Sequence, residues 1–319
     1  MGTAVKVIID CDPGNGVPGA NVDDAIALTV ALRAPEIDVR AVWTVFGNTT
    51  AQQGREAASR LFGQLRAGTP TLRQGCDTPL SGAREQWRDR LDAPGREPLV
   101  RQLWGAARGV STRDASRAPD PLHPLVSDLR DAGAGVTLAC LGPLTNIAQL
   151  VRSEPSALEG VDRICLMGGA LKGEDLVDTN FAVDPDAADV VLRCGIPLTV
   201  VPLDVTRTTC LTVPEWNRMR TTAVRASMSV AGEVAGWLEP WLEYSRRTRP
   251  VDGMWLHDLV VVAMLLDPSV VQTQTTRVNL LRSPAGKLAL DEAGVTVDLV
   301  QAVDNEALLR ILARSLAIG

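Results

Sequence analysis

Four aspartates lie close together in the first 24 residues, on either side of a turn rich in glycine and proline. Asp10 and Asp12 end a hydrophobic segment, and Asp23 and Asp24 begin the next one. Like charges at this spacing repel, so the carboxyl groups must keep protons or share a cation such as Ca²⁺ or Mg²⁺, which prefer oxygen ligands. Helix capping explains an aspartate in the second pair but not the first pair, so the pattern favours a divalent metal site.

The elements that position these acids alternate between strand and helix. Hydrophobic segments predict strands over residues 5–11, 39–46, 136–141, 161–167 and 198–203. Periodic segments predict helices over residues 24–33, 51–65, 185–194, 259–266 and 305–316. Strands separated by helices form βαβ units, so we expect an α/β fold, a single domain over residues 1–319 with a mainly parallel, Rossmann-like sheet flanked by helices.

Three regions depart from this alternation. Residues 75–121 are rich in Arg, Pro, Gly and Asp and predict a long loop with one or two short helices. Residues 223–247 have a helical pattern, and residues 276–281 and 295–300 alternate as short strands do. We expect the C-terminal strands to form a small antiparallel extension packed on the main layer.

Unusual residues follow the predicted strands. They are Asp10, Asp12, Asn48, Leu141, Met167 and Asp204. The carboxyl ends of parallel strands meet at one edge of a sheet, where ligands bind. These residues are therefore candidates for one pocket.

Composition excludes several classes of protein. The chain has 319 residues, 45% of them hydrophobic and 22% charged, with a net charge of −6, which argues against general nucleic-acid binding. No hydrophobic run approaches the length of a membrane span, and the N-terminus enters the first strand without a signal segment. The six cysteines are scattered without a C-x-x-C pair, which is typical of reduced thiols, and we expect a cytoplasmic protein.

Two motifs in the first segment point to other chemistries. Residues 14–19 match G-x-G-x-x-G, a dinucleotide-binding pattern, but a pyrophosphate would meet four aspartates there, and Pro18 lacks an N–H; a turn-forming insertion is the better interpretation. The spacing of Asp10 and Asp12 also occurs in haloacid-dehalogenase-type phosphatases. Those proteins have Thr or Ser where this chain has Gly14, so the match is weak.

The whole set of motifs resembles the nucleoside hydrolase family, the inosine-uridine preferring nucleoside N-ribohydrolases, which open with D-x-D-P-G-x-D-D-A-x-A-L. Residues 10–14 and 23–28 match this motif. Further matches follow in order at residues 47–48, 141–146, 167–169, 180–188 and 257–258. The resemblance spans about residues 5 to 268 and implies the nucleoside-hydrolase fold.

The resemblance implies a catalytic set and a Ca²⁺ site. Asp12 matches the general base, which also touches the metal, and His257 matches the acid that assists departure of the base. Asp24, Leu141 through its carbonyl, and Asp258 match the remaining metal ligands. Cleavage of an N-glycosidic bond passes through an oxocarbenium-like transition state, and a Ca²⁺-bound water with a lowered pKa would attack the ribose after Asp12 takes its proton.

The resemblance also implies a ribose site, with two departures from the family pattern. Its residues would be Asp23, Asn48, Met167, Glu174, Asp178 and Asn180. Glu174 replaces an expected Asn, and Asp178 replaces a usual Glu, so recognition of the 5′ end of the ribose is expected to differ.

Two further features are specific to this chain. Eight residues, 15–22, separate Asp-Pro-Gly from Asp-Asp, where the common motif has one, and they form either a passive bulge or a wall of the pocket. Aromatic residues are only 3% of the chain, yet Trp237, Trp241, Tyr244 and Trp255 cluster before His257. They either stack on the substrate base or pack helices.

The sequence thus predicts an enzyme that hydrolyses a ribonucleoside to ribose and a free base with Ca²⁺. The alternatives are a hydrolase of another N-ribosylated metabolite and a non-catalytic nucleoside- or ribose-binding protein. The resemblance implies a homodimer or homotetramer, and the base preference stays open.

Overall fold

A computed structural model describes residues 3–65, 68, 70–81, 84–105, 121–173, 175–224, 230–281 and 286–317. The strands are β1 (Val5–Cys11), β2 (Ile37–Thr44), β3 (Thr71–Gln74), β4 (Val136–Cys140), β5 (Val161–Met167), β6 (Leu198–Val201), β7 (Val271–Leu281), β8 (Lys287–Leu290) and β9 (Val295–Val303). The first six helices are α1 (Asp23–Arg33), α2 (Ala51–Leu65), α3 (Arg84–Leu91), α4 (Pro98–Trp104), α5 (Leu122–Ala132) and α6 (Thr145–Ser153). The next seven described helices are α7 (Thr179–Val183), α8 (Pro185–Leu192), α9 (Leu203–Thr206), α10 (Val213–Val224), α11 (Ala231–Thr248), α12 (His257–Leu266) and α13 (Asn305–Ala317).

The described strands form one nine-stranded sheet in the order β3-β2-β1-β4-β5-β6-β9-β7-β8. The first six are parallel, and β9 continues parallel to β6. Strands β7 and β8 complete the sheet as antiparallel neighbours. The expected C-terminal β extension therefore exists, but it lengthens the main sheet edge to edge instead of packing on its face.

Helices cover both faces of the sheet, as burial of the parallel strands requires. Alternate side chains of β1 show the division: Val7 and Ile9 lie in a core with α1, α2, α11, α12 and α13. Ile8 lies in a second core with α5, α6 and α8. Successive side chains of β1 point to opposite faces of the sheet, so the strand is buried on both sides and the acids that follow it lie deep in the molecule.

The predicted elements agree closely with the observed ones. The predicted bounds of β1, β5 and α2 are those of the structure. The region from residue 75 to 121 contains α3, a 3₁₀ turn (Pro94–Arg96) and α4, while residues 106–120 lie outside the described part. The helical pattern of 223–247 corresponds to the end of α10 and most of α11, and β8 was not predicted because its four residues are too few for a clear alternation.

Membrane insertion finds no support within these ranges. None of the helices described is both long enough and apolar enough to cross a bilayer.

Candidate active site

A cavity of about 300 Å³ opens at the carboxyl ends of the parallel strands. Its size is at the lower end of the range for small-molecule sites. The lining includes Asp12, Gly19, Ala20, Asn21, Asp23, Asn48, Arg90, Leu91, Pro94, Leu141, Met167, Asp178, Thr179, Asn180, Leu203, Trp241, Arg249, His257 and Asp258. Most of the residues predicted from the sequence therefore meet in one place.

Asp12 is held at the bottom of this cavity by backbone contacts. Its N–H donates to Asp24 Oδ1 at 2.9 Å, and its Oδ2 accepts the N–H of Asn48 at 2.5 Å. Gly47 and Gly142 leave room for the carboxyl group, since a Cβ on either would come within 1.8 Å or 3.0 Å of a carboxyl oxygen of Asp12. The two glycines are thus required by this close approach and not by a special φ angle.

Asp23, Asp24 and Asp258 form the acidic group beside Asp12. One carboxylate oxygen of each lies within 4.8 Å of the others, and all three side chains are buried. Asp23 and Asp24 come from the first turn of α1, and Asp258 from the first turn of α12, which packs against α1. Two helix N-termini therefore supply three carboxylates to one point.

Burial raises the pKa of every carboxyl in this group. The pKa of Asp23 is raised to about 8, first by burial and then by the charge of Asp24. The pKa values of Asp12 and Asp258 are raised well above the usual range by the same two causes, burial and neighbouring carboxylates. Acids this close stay ionised together only when a cation compensates them. The hard oxygen donors, and a buried Asp23 Oδ1 with no hydrogen-bond partner among the described atoms, fit a divalent cation.

Asp10 lies one layer below the cavity. Its Oδ1 accepts from Asn146 Nδ2 at 2.7 Å, and Asn146 Oδ1 accepts the N–H of Cys76 at 2.7 Å. Burial raises the pKa of Asp10 to about 8. Asp10 therefore ties the ends of neighbouring strands together beneath Asp12.

The residues expected at the ribose border the acids. Asn180 Nδ2 donates to Leu141 O at 2.6 Å and to Met167 O at 3.1 Å. Asp178 caps α7 by accepting the N–H of Phe181 at 2.8 Å, and burial raises its pKa to about 7. Asn48 Nδ2 donates to Asp24 Oδ2 at 3.1 Å, which links this side of the cavity to the acids. Glu174 lies outside the described residues.

His257 opens α12 at the other side of the cavity. Its Nδ1 is 2.7 Å from Thr206 Oγ1, which leaves Nε2 for a ligand. Burial, followed by the charges of Arg249 and Arg207, lowers the pKa of His257 to about 3. The side chain is therefore neutral at pH 7, and the expectation of a near-neutral proton donor becomes that of a neutral N–H donor whose tautomer depends on Thr206.

Arg249 and Arg90, which line the cavity, were not predicted from the sequence. Arg249 lies with its guanidinium 4.5 Å from the centre of the Trp241 ring, and Asp23 acts on it electrostatically. Arg90 lies at the rim, 5.7 Å from the centre of the Trp87 ring. Neither arginine belongs to a motif. The only feature of the sequence that could have singled out Arg249 is its position between the end of α11 and Pro250.

The four residues of the aromatic cluster have different surroundings, and stacking on the base stays a prediction. Trp237 and Tyr244 are buried in the core with α11, so they pack helices. Trp241 packs there as well but also lines the cavity. Trp255 contacts the His257 ring, with 5.7 Å between the ring centres.

The residues that line or border the cavity fall into two chemical sets, which we call its two halves. The acidic half comprises the carboxylates with their ribose-side neighbours: Asp12, Asp23, Asp24, Asp258, Asn48 and Asn180. The cationic half comprises Arg90, Trp241, Arg249 and His257. A ligand that fills both halves must present hydroxyl groups or a cation to one end and an electron-rich group to the other.

Comparison with known proteins relates this cavity to one family. The family model described as inosine-uridine preferring nucleoside hydrolase matches residues 7–310. The pyrimidine-specific ribonucleoside hydrolase RihA of Klebsiella pneumoniae subsp. pneumoniae is 31% identical over 337 residues, which cover 98% of this chain and 99% of that protein. RihA of Escherichia coli is 31% identical over 285 residues, which cover 85% and 82%.

Solved structures share the fold. A plant nucleoside hydrolase, PpNRh1, superposes with a TM-score of 0.78 at 23% identity and covers 98% of this chain and 99% of its own. A purine-preferring ribonucleoside hydrolase from Gardnerella vaginalis gives a TM-score of 0.77 at 23% identity, with 98% and 100% covered. The predicted α/β fold is confirmed by these superpositions.

Proposed function

This chain belongs to the inosine-uridine preferring nucleoside hydrolase family and is a ribonucleoside hydrolase, and from this premise we propose that it is a Ca²⁺-dependent enzyme. The residues that would hold the cation are Asp12, Asp24, Asp258 and the carbonyl of Leu141. The observation that carries the proposal is the buried group of Asp23, Asp24 and Asp258 beside Asp12, which contains two of the four proposed ligands, whereas Asp23 is placed against the ribose. Bound Ca²⁺ would supply a water of lowered pKa and coordinate ribose hydroxyls.

Asp12 is the general base of the proposed reaction. It takes the proton of the water that attacks the anomeric carbon as the N-glycosidic bond breaks. One of its oxygens accepts the Asn48 N–H, which fixes the plane of the carboxylate and leaves the second oxygen for the water. The surrounding acids favour the positive charge that develops on the ribose ring.

The ribose lies against the acidic half in this proposal. Asp23, Asn48 and Asn180 orient its hydroxyls, and Met167 packs beside the ring. Asp178 lies two residues before Asn180 and lines the same cavity, although one of its oxygens caps α7. We place the 5′-hydroxyl at this end; Glu174, which the resemblance assigns to the ribose, precedes Asp178 by four residues in the sequence.

The leaving base lies in the cationic half. His257 donates a hydrogen bond from Nε2 to the departing base when the single hydroxyl proton of Thr206 is given to Nδ1 at 2.7 Å and not to Leu203 O at 3.2 Å. The guanidinium of Arg249 compensates the negative charge that develops on the base. The ring of Trp241 packs against that guanidinium and holds it in place.

Ribose release from a panel of nucleosides tests this function. The purified protein, with Ca²⁺ or after thorough treatment with chelator, is assayed with uridine, cytidine, inosine, adenosine and a non-nucleoside N-riboside. We expect release from at least one nucleoside, loss of more than about 100-fold in kcat on chelation, and recovery on adding Ca²⁺. Full activity after metal removal contradicts the metal mechanism; release from the N-riboside alone assigns another substrate; nucleoside binding without release assigns a binding protein.

A further inference from the structure

The inserted turn, residues 15–22, is anchored to the rest of the molecule by hydrogen bonds. Asn15 is buried and its Nδ2 donates to Ala57 O at 3.1 Å, which anchors the turn to α2. Two successive backbone bonds, Val17 N–H to Gly14 O at 2.9 Å and Ala20 N–H to Val17 O at 3.1 Å, close it. Gly16 and Gly19 both have φ of +81°, a conformation that glycine adopts at little cost.

The inserted turn packs on the 3₁₀ turn Pro94–Arg96. A Cβ on Gly19 would lie 2.6 Å from Gly95 N, and a Cβ on Gly95 would lie 3.0 Å from Pro18 O. The two backbones are therefore in direct contact, with no side chain between them. Together they form one continuous wall, which we call the inserted wall.

The inserted wall faces the cavity with hydrogen-bond donors. Asn21 lines the cavity, and its Oδ1 accepts the N–H of Val22 at 2.8 Å. Because a backbone N–H can only donate, this bond identifies the oxygen of the amide and leaves the Nδ2 hydrogens for another partner. Arg90, from the neighbouring end of α3, lines the same side, and a guanidinium has donors but no acceptor.

We propose that the inserted wall selects the leaving group, and that Asn21 and Arg90 favour a base that presents carbonyl oxygens over one that presents an amino group. In the proposed binding mode the acids and Asn180 hold the ribose, and the inserted wall, which lines the same cavity, borders the base. An exocyclic amino group there would meet only donors, whereas a carbonyl oxygen would accept from them. A buried donor without an acceptor is costly, which makes such a contact selective.

This proposal rests on the proposed hydrolase function, and its test separates the two. The readout is the ratio of kcat/KM for uridine to that for cytidine, which differ by a carbonyl or an amino group at one ring position. We expect the native protein to favour uridine, and Asn21→Ala to lower the ratio about tenfold, the value of one hydrogen bond. Arg90→Met should lower it about threefold to tenfold, since its side chain is more exposed. Arg193→Met is the matched control, because Arg193 is an exposed arginine at the end of α8 that pairs with Asp189 at 3.0 Å and does not line the cavity.

A glycine pair tests the geometry of the wall. Gly16→Ala and Gly19→Ala carry the same strain at φ +81°, but only the second forces the two backbones apart. We expect Gly19→Ala to change the ratio and Gly16→Ala to leave it unchanged. An unchanged ratio in Asn21→Ala, Arg90→Met and Gly19→Ala, all shown to be folded by circular dichroism, overturns the proposal. If no nucleoside is cleaved, the hydrolase function fails by itself, and the same ratio of dissociation constants, measured by calorimetry, decides the role of the wall.

Discussion

The acidic half of the cavity is built from residues that directly follow strands or begin helices, whereas the two arginines of the cationic half lie at or after the C-terminal ends of helices. Asp12 follows β1, and Asp258 lies in the first turn of α12. Arg249 instead follows the end of α11, and Arg90 lies near the end of α3. In the proposed reaction, the edge of the sheet therefore positions the catalytic carboxylates, and the segments beyond the helix ends border the base. The proposed catalytic carboxylates and the arginines proposed to border the base therefore lie on different kinds of backbone segment.

Replacing the proposed base should have the largest effect. Asp12→Asn keeps the shape of the side chain but cannot take a proton, so we expect kcat to fall about 10³-fold or more. Its thermal stability should not fall, because the change removes one of several repelling acids. Initial rates and a melting curve measure both, with Asp38→Asn, an exposed acid of β2, as the control. A kcat within tenfold of the native value would exclude Asp12 as the base.

Replacing His257 should slow the cleavage of natural nucleosides much more than that of a substrate with a good leaving group. We expect His257→Ala to lower kcat about 100-fold with a natural nucleoside but far less with 4-nitrophenyl riboside, whose leaving group needs no help. His123→Ala, which removes an exposed histidine at the start of α5, should change neither rate. Equal losses for the two substrates of His257→Ala would show that the histidine only maintains the structure.

Removing the buried guanidinium should have a smaller effect that is confined to the base. Arg249→Met should lower kcat/KM for nucleosides about tenfold to thirtyfold while the affinity for free ribose stays constant. The pKa of His257 should rise in this variant because Arg249 lowers it in the native protein. Arg246→Met is the control, since Arg246 is an exposed neighbour paired with Glu243 at 2.8 Å. Weaker binding of ribose itself would place Arg249 in the acidic half.

The smallest effect concerns stability and pH. Without a cation, Asp10 and Asp23 have pKa values of about 8 when folded and near 3.8 when unfolded. The raised values stabilise the folded state fully below about pH 4, and this stabilisation disappears as the pH rises through 8. The chelated protein should therefore lose Tm from pH 5 to 9. Ca²⁺ at about 100 times its Kd should raise Tm by about 5 °C at pH 8 and by less at pH 5. An equal Ca²⁺ shift at both pH values would mean that Ca²⁺ binding is not coupled to the protonation of this acidic group.

The part of the site that was predictable is the part that follows regular elements. The aspartates after β1 and at the start of α1 stand out because strand ends converge, and the resemblance to nucleoside hydrolases that they suggested is confirmed by the family match. The neutrality of His257 could not be anticipated, since it depends on burial and on Arg249 and Arg207, which fold next to it. Likewise, the inserted turn became a wall only through its contact with Gly95, some 75 residues away in the chain.

Arg88 gives the two halves a mechanical connection. It lies in α3, the helix that carries Arg90, and donates to Gly47 O at 2.7 Å while pairing with Asp92 at 2.6 Å. The next residue after Gly47 is Asn48, whose N–H and side chain donate to Asp12 and Asp24. A ligand that shifts α3 would therefore act on Asn48 and on the two carboxylates that it contacts. If those carboxylates hold the proposed cation, thermodynamic reciprocity requires that the base change the affinity for the metal as much as the metal changes the affinity for the base.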